Sequence, residues 1–248
     1  MAGYNLQAVT LIWPSISWHY QLCTKLEEYE GTMRMSQLQD AKENLGIGEW
    51  GAGYFTIDKN GHVVCTPNGI RQGVSLHKIT EAARKHGLST PIIIRFPQLI
   101  KGQLEKMDSA FRMAMAEFGY KGSYGGVFPF KVNQRKEFID AIVSCGLDMD
   151  WGLEVGSKPE FMAALSYRIS ERALLVCNGF KDDEFIDMAF LAASLGRKVV
   201  LVIEGPDELQ KIVKKMKTSK ISACANLEIG LRIRLYTRGS GHWQNSSE

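Results

Sequence analysis

Lys131 stands in the run Phe128-Pro129-Phe130-Lys131-Val132-Asn133-Gln134, where an apolar segment through Gly126, Val127, Phe128 and Phe130 ends on a single cation. The pattern predicts a strand closing on Lys131, then a turn, then a helix opening near Asn133 or Gln134. Parallel α/β folds place their chemistry at the carboxyl ends of strands. An ammonium buried there beside apolar walls loses proton affinity and becomes an amine nucleophile, the form that attacks a carbonyl carbon. The same pattern also fits a strand-end lysine that simply reaches solvent. Glu154, Asn178 with Lys181, Glu204, and Arg232 with Arg234 occupy or adjoin strand ends of the same kind. Glu154 lies in an otherwise apolar strand, where a carboxylate is costly unless paired. Lys131 and Arg232 are its candidate cations; an ordinary salt bridge closing a barrel layer is the competing reading.

Other chemistry finds little support. Gly239-Ser240-Gly241 precedes no helix and Gly51 to Gly53 follows no parallel strand, so neither is a dinucleotide or phosphate loop. No Gly-x-Ser-x-Gly elbow occurs, and His19, His62, His77, His86 and His242 never fall at metal-binding spacing. Cys23, Cys65, Cys145, Cys177 and Cys224 are odd in number and widely spaced. They suggest neither a zinc cage nor a disulfide framework, but free thiols in a reducing cytoplasm.

The elements that must position these side chains are read from periodicity and caps. The first 35 or so residues show no clear period and read as a peripheral extension. Ile47 to Phe55 is rich in glycine and aromatics, and Tyr54 to Thr66 reads as a hairpin around Asp58-Lys59-Asn60-Gly61. A short helix is expected over 74–86, closed by Gly87. From Pro91 strand and helix alternate: a strand at Ile92 to Ile94, a helix at about 98–118, and strands at 126–131, 151–155, 173–177, 198–204 and 229–236. Helices fit near 133–144, 157–169, 181–195 and 206–217. Ser157 with Glu160 has capping-box spacing, and Asp182 and Pro206-Asp207-Glu208 open the next two helices. Nearly continuous apolar strands joined by helices mean a parallel sheet.

The 248 residues suffice for one large or two small domains; the division expected is 1–90, a small α+β region, and 91–248, the alternating region. An eight-stranded barrel needs about 250 residues by itself. The alternating region supplies five or six strands, so the alternatives are a smaller doubly wound sheet or an incomplete barrel. Charged residues make up 23% of the chain and its net charge is only +3, which implies neither nucleic acid nor an anionic membrane as partner. The basic run Lys211 to Lys220 reads as a solvated helix end. Leu6 to Trp13 has no basic leader and is too short to span a bilayer.

The ordered segments IGEWGAGYF (47–55), DKNGHVV (58–64), RFPQL (95–99), FGYKG (118–122), FPFKVNQ (128–134), LEVGSKPEF (153–161), CNGFKDDEF (177–185), LVIE (201–204) and RGSGHWQ (238–244) resemble the biosynthetic arginine decarboxylase family. They cover roughly residues 40 to 244. The resemblance implies the first part of an alanine racemase-like (β/α)8 barrel, preceded here by the small hairpin-containing region. It implies pyridoxal phosphate as cofactor, often with magnesium as a second. It also implies arginine as substrate, agmatine as a product that feeds putrescine and spermidine synthesis, and a homo-oligomer for the complete enzyme. Lys131 matches the lysine that carries pyridoxal phosphate. More distant relatives place an acidic residue and an arginine where Glu154 and Arg232 fall. Family members continue for several hundred residues more. The histidine that stacks on the cofactor ring, the glycine-rich phosphate loop and the glutamate at the pyridine nitrogen have no counterpart here. The chain therefore reads as an amino-terminal portion with little or no activity alone. A non-catalytic module pairing with a full-length decarboxylase or its carboxyl-terminal half, and a small single-domain pyridoxal phosphate-binding protein, are the other readings.

Overall fold

The computed structural model describes residues 35–67, 73–219 and 225–233. The expected amino-terminal extension, Cys23, Cys224, His19, His242, Arg234 and the tail from Arg238 lie outside the described residues. The chain divides into two compact units, Met1–Gln103 and Leu104–Glu248.

The first unit holds helices α1 (Met35–Asn44), α2 (Ile47–Trp50) and α3 (Leu76–Lys85) and strands β1 (Phe55–Ile57), β2 (Val63–Cys65) and β3 (Val74–Ser75). The expected hairpin forms, with Phe55 opposite Cys65 and Ile57 opposite Val63. Its turn is built by Asp58, whose Oδ1 accepts from the Asn60 and His62 amides, both at 2.9 Å. This is the local hydrogen bonding that makes aspartate a turn former. Strand β3 then pairs with β2, and Ser75 caps α3 by accepting from the Lys78 amide. Ile92 to Ile94 is not a strand. Three β-branched residues favour extended backbone, but a strand also needs a neighbouring backbone to pair with, and among the described residues none pairs with these.

Helix α4 (Pro97–Glu117) runs through the boundary between the units. The second unit continues with β4 (Val127–Pro129), α5 (Lys136–Gly146), β5 (Gly152–Val155), α6 (Lys158–Leu165), β6 (Leu174–Cys177), α7 (Asp183–Ser194), β7 (Lys198–Ile203), α8 (Pro206–Thr218) and β8 (Leu227–Leu231). All five strands are parallel and lie in chain order, β4-β5-β6-β7-β8. A doubly wound sheet reverses its strand order at a switch point and carries helices on both faces. This sheet never reverses. It is an arc of a (β/α) barrel, open among the described residues, with β4 and β8 at its edges.

Register explains which face does what. Phe128, Leu153, Leu175, Val199 and Leu227 are aligned across the sheet, and Val155, Cys177, Leu201 and Ile229 form the next row. The inner members of both rows are buried against Ile139 of α5, Phe161 of α6, Phe185 and Ile186 of α7 and Ile212 of α8. The helices thus cover one face. Each fully buried side chain of this core contributes about 1.5–3 kcal/mol. The alternate residues, among them Pro129, Glu154, Val176, Val200 and Val202, face the other way, toward what a barrel encloses.

The helix starts are chemically marked. Ser157 Oγ accepts from the Glu160 amide (3.4 Å), and Asp182 Oδ1 accepts from the Phe185 amide (2.9 Å). Asp207 and Glu208 sit in the first turn of α8, where they complement the helix dipole. At the other end of α8, Lys214 and Lys217 are exposed and Lys215 pairs with Asp187 at 2.6 Å. That end is the solvated basic face expected; Lys220 lies outside the described residues. Among the described residues no helix is long and apolar enough to cross a membrane.

Candidate active site

The loops that follow the strands converge on one edge of the sheet. Together they line a cleft of about 580 Å³ that includes Lys131, Glu154, Asn178, Gly179, Val202 and Arg232. This is the carboxyl-terminal mouth, where barrel enzymes carry their chemistry. The three residues singled out from sequence, Lys131, Glu154 and Arg232, therefore line the same space.

Lys131 follows β4 directly, but on a 3-10 turn, Phe130–Val132, rather than within the strand. Phe130 is buried in the core and pins this turn. The next helix opens at Lys136, not at Asn133 or Gln134, because Asn133 stays extended and its Oδ1 accepts from the Arg135 amide at 3.2 Å. That side-chain turn competes with helix. Lys131 is exposed at the mouth rather than packed between apolar walls. Among the described residues its ammonium makes no hydrogen bond or ion pair.

Glu154 is 5% exposed, and its partner is neither Lys131 nor Arg232. Asn178 donates from Nδ2 to Glu154 Oε1 at 3.0 Å, while the Asn178 amide donates to the Val155 carbonyl at 2.9 Å. A neutral amide, not a cation, therefore orients this carboxyl group. Arg232 pairs instead with Glu204, Nη1 to Oε1 at 3.1 Å. Glu204 Oε1 also accepts from the Gly179 amide at 2.6 Å. Burial pushes the Glu204 carboxyl up, but the Gly179 amide, the Arg232 hydrogen bond and charge, and Lys181 outweigh it and hold it below its ordinary value.

Two further side chains lie beneath the mouth. Lys181 and Glu208 are both buried and face each other at 3.4 Å. The sequence puts Lys181 near a strand end and Glu208 at a helix start, but does not join them. The only local signal is that both fall within five residues after a strand. Glu160 reaches back with Oε2 to the Gly156 amide at 2.7 Å, and Glu208 does the same to the Glu204 amide at 3.0 Å. The two loops use one device: a glutamate at the third helical position holding the residue before the cap. Gly179 has φ +77°, and a side chain there would meet the Gly156 carbonyl oxygen at 2.7 Å, so glycine lets adjacent loops close up.

The buried thiols offer no competing nucleophile. Burial pushes Cys65 up to about 11 and Cys177 higher still, so neither is a thiolate at neutral pH. Among the described residues no group of three or more His, Cys, Asp or Glu could hold a metal ion.

A solvent-reachable amine, a buried carboxylate turned into the same cleft, and a half-free guanidinium at a parallel-strand mouth suit an anionic cofactor that carries a carbonyl. The family model described as pyridoxal-dependent decarboxylase, pyridoxal binding domain, matches residues 103–248, and the chain belongs to that family. It is 40% identical over 208 residues to the biosynthetic arginine decarboxylase of Prochlorococcus marinus strain MIT 9303, covering 84% of this chain and 32% of that protein. The corresponding enzyme of Bacteroides thetaiotaomicron is 37% identical over 214 residues, covering 86% of this chain and 33% of its own length. The crystal structure of the biosynthetic arginine decarboxylase from Campylobacter jejuni superposes with a TM-score of 0.70 at 39% identity, over 77% of this chain and 31% of that one. The chain thus spans about a third of the length of these relatives.

Proposed function

We propose that this chain is the cofactor-holding portion of an arginine decarboxylase, with Lys131 the residue that binds pyridoxal phosphate. The observation that carries the reading is the position of Lys131: an amine unpaired among the described residues, on the turn after β4, opening into the cleft shared with Glu154 and Arg232. When bound, the cofactor supplies the electron sink that lets the substrate's carboxylate leave as carbon dioxide.

The chain's own residues have separable tasks. Lys131 Nζ would hold the cofactor through its carbonyl group, and when not so engaged would serve in the cleft as a base able to hold and return a proton. Glu154, oriented by Asn178, presents negative charge to the cationic groups gathered there. Arg232, steered by Glu204, presents positive charge to anionic ones. The same reading takes arginine as substrate, a cytoplasmic setting and self-association of the complete enzyme. Magnesium as a second cofactor belongs to the same reading; among the described residues no group of three or more His, Cys, Asp or Glu is placed to hold it.

Borohydride reduction fixes a lysine-bound cofactor covalently, so peptide mapping after reduction locates it. The expected label falls on the peptide containing Lys131. Lys131→Ala should lose both the label and the change in the cofactor's visible band on mixing while keeping the melting temperature, since the side chain is exposed and unpaired among the described residues. Label on a different lysine, or a band change on mixing that persists in Lys131→Ala, would overturn the assignment.

A further inference from the structure

We infer that the buried Lys181–Glu208 pair is a positioning clamp for the cleft, setting the two loops from which Glu154 and Arg232 are held. The ligand named in its test rests on the cofactor reading above. The Lys181 ammonium is fully buried and uses all its donors: it reaches the Gly179 carbonyl at 2.6 Å, the Val202 carbonyl, and Glu208 Oε2 at 3.4 Å. The Glu208 carboxylate accepts from the Lys181 amide at 2.9 Å through Oε1 and from the Glu204 amide at 3.0 Å through Oε2. Apart from their mutual contact, every bond goes to backbone, and it joins the loop after β6 to the end of β7.

The backbone so stitched carries the groups that line the mouth. Gly179, held through its carbonyl, gives its amide to Glu204. Glu204, held through its amide, gives its carboxylate to Arg232. Asn178, one residue before Gly179, orients Glu154. Val202, whose carbonyl Lys181 takes, lines the cleft itself. Space filling alone does not require an ion pair here, because apolar residues of similar volume commonly stabilise a buried site as well or better. The pair's specific product is the placement of four backbone groups. Lys181 and Glu208 do not line the cleft, so they act through Asn178, Gly179 and Glu204 as positioning residues.

The test compares the full 248-residue chain with Glu208→Gln and with the double variant Lys181→Met/Glu208→Leu, which removes both charges together. Pyridoxal 5′-phosphate is titrated into each and followed by visible absorbance, including the pH midpoint of the band. Far-ultraviolet circular dichroism reports folding. A double variant that stays folded should bind about tenfold or more weakly, the scale of loss seen when groups that orient a ligand's holders are removed, with a displaced midpoint. Wild-type affinity and midpoint in the folded double variant would overturn the clamp. Amide hydrogen exchange in the unaltered chain gives a reading independent of cofactor and of how the variants fold. Gly179, Lys181 and Glu204 should exchange as slowly as Asn178; rapid exchange at those three alone sinks the proposal. If the unaltered chain takes no label at Lys131, the cofactor reading falls, and the exchange pattern alone decides the clamp.

Discussion

Gly179→Ala should destabilise the second unit well beyond what its backbone angle alone predicts. At φ +77° an alanine suffers the left-handed penalty of about 1–2 kcal/mol. Its Cβ would also stand 2.7 Å from the Gly156 carbonyl oxygen. Gly156 cannot easily retreat, because its amide is held by Glu160 at 2.7 Å. Gly179 must then move, which lengthens its 2.6 Å bond to Glu204. Losing a bond to a charged acceptor costs about 1.5–3 kcal/mol. The sum is about 2.5–5 kcal/mol, or roughly 10 °C in melting temperature for a chain of this size. Gly196 supplies the control: φ is +90° and nothing lies within 4 Å of an added Cβ. Gly196→Ala should cost the backbone penalty alone, about 1 kcal/mol and about 3 °C. Thermal unfolding of the two variants in parallel measures the difference. Equal losses would refute the claim that the loops after β5 and β6 touch closely enough to demand glycine.

Two further outcomes are expected. Supplied with pyridoxal phosphate and arginine, the 248-residue chain alone should release little or no agmatine, and robust turnover by the pure chain would show that reading to be wrong. Glu204 gives a pH dependence of definite sign: its folded carboxyl sits below the ordinary range, so its stability contribution is present above its unfolded value and lost as pH falls through the folded one. Glu204→Gln should therefore melt below wild type near neutrality and approach it as pH falls through the lowered folded value. A gap that stays constant through the acid titration would contradict this.

What could be read from the sequence follows the range of the forces involved. Strands β5, β6 and β7 are short apolar runs between capped helices, and both signals are local, so they were legible to within a residue or two. Helix α1 was not anticipated because Met35–Asn44 is polar on nearly every face. Strand β3, only two residues long, exists through its partner β2. Ile92 to Ile94 fails as a strand for the converse reason: its residues suit a sheet, and no described strand pairs with it. The choice between barrel and doubly wound sheet lay in strand order, which no local pattern encodes.

The site shows the same limit at the scale of single charges. Lys131 was legible because a cation ended an apolar run. The partners were not, because each bond joins residues 24 to 28 positions apart across neighbouring loops. The outcome also has a physical logic. Glu154 on β5 and Glu204 after β7 stand at one mouth with β6 between them, yet among the described residues only Glu204 of the two meets a cation. Had Arg232 or Lys131 paired with Glu154, the buried carboxylate would be neutralised and the amine or guanidinium tied down. An asparagine supplies direction without charge, so Glu154 is oriented while Lys131 keeps its nitrogen free. Glu204, already held by the Gly179 amide, is the carboxylate that fixes Arg232 at the opposite side. One mouth thus carries a carboxyl group oriented by a neutral amide and another committed to holding a cation in place.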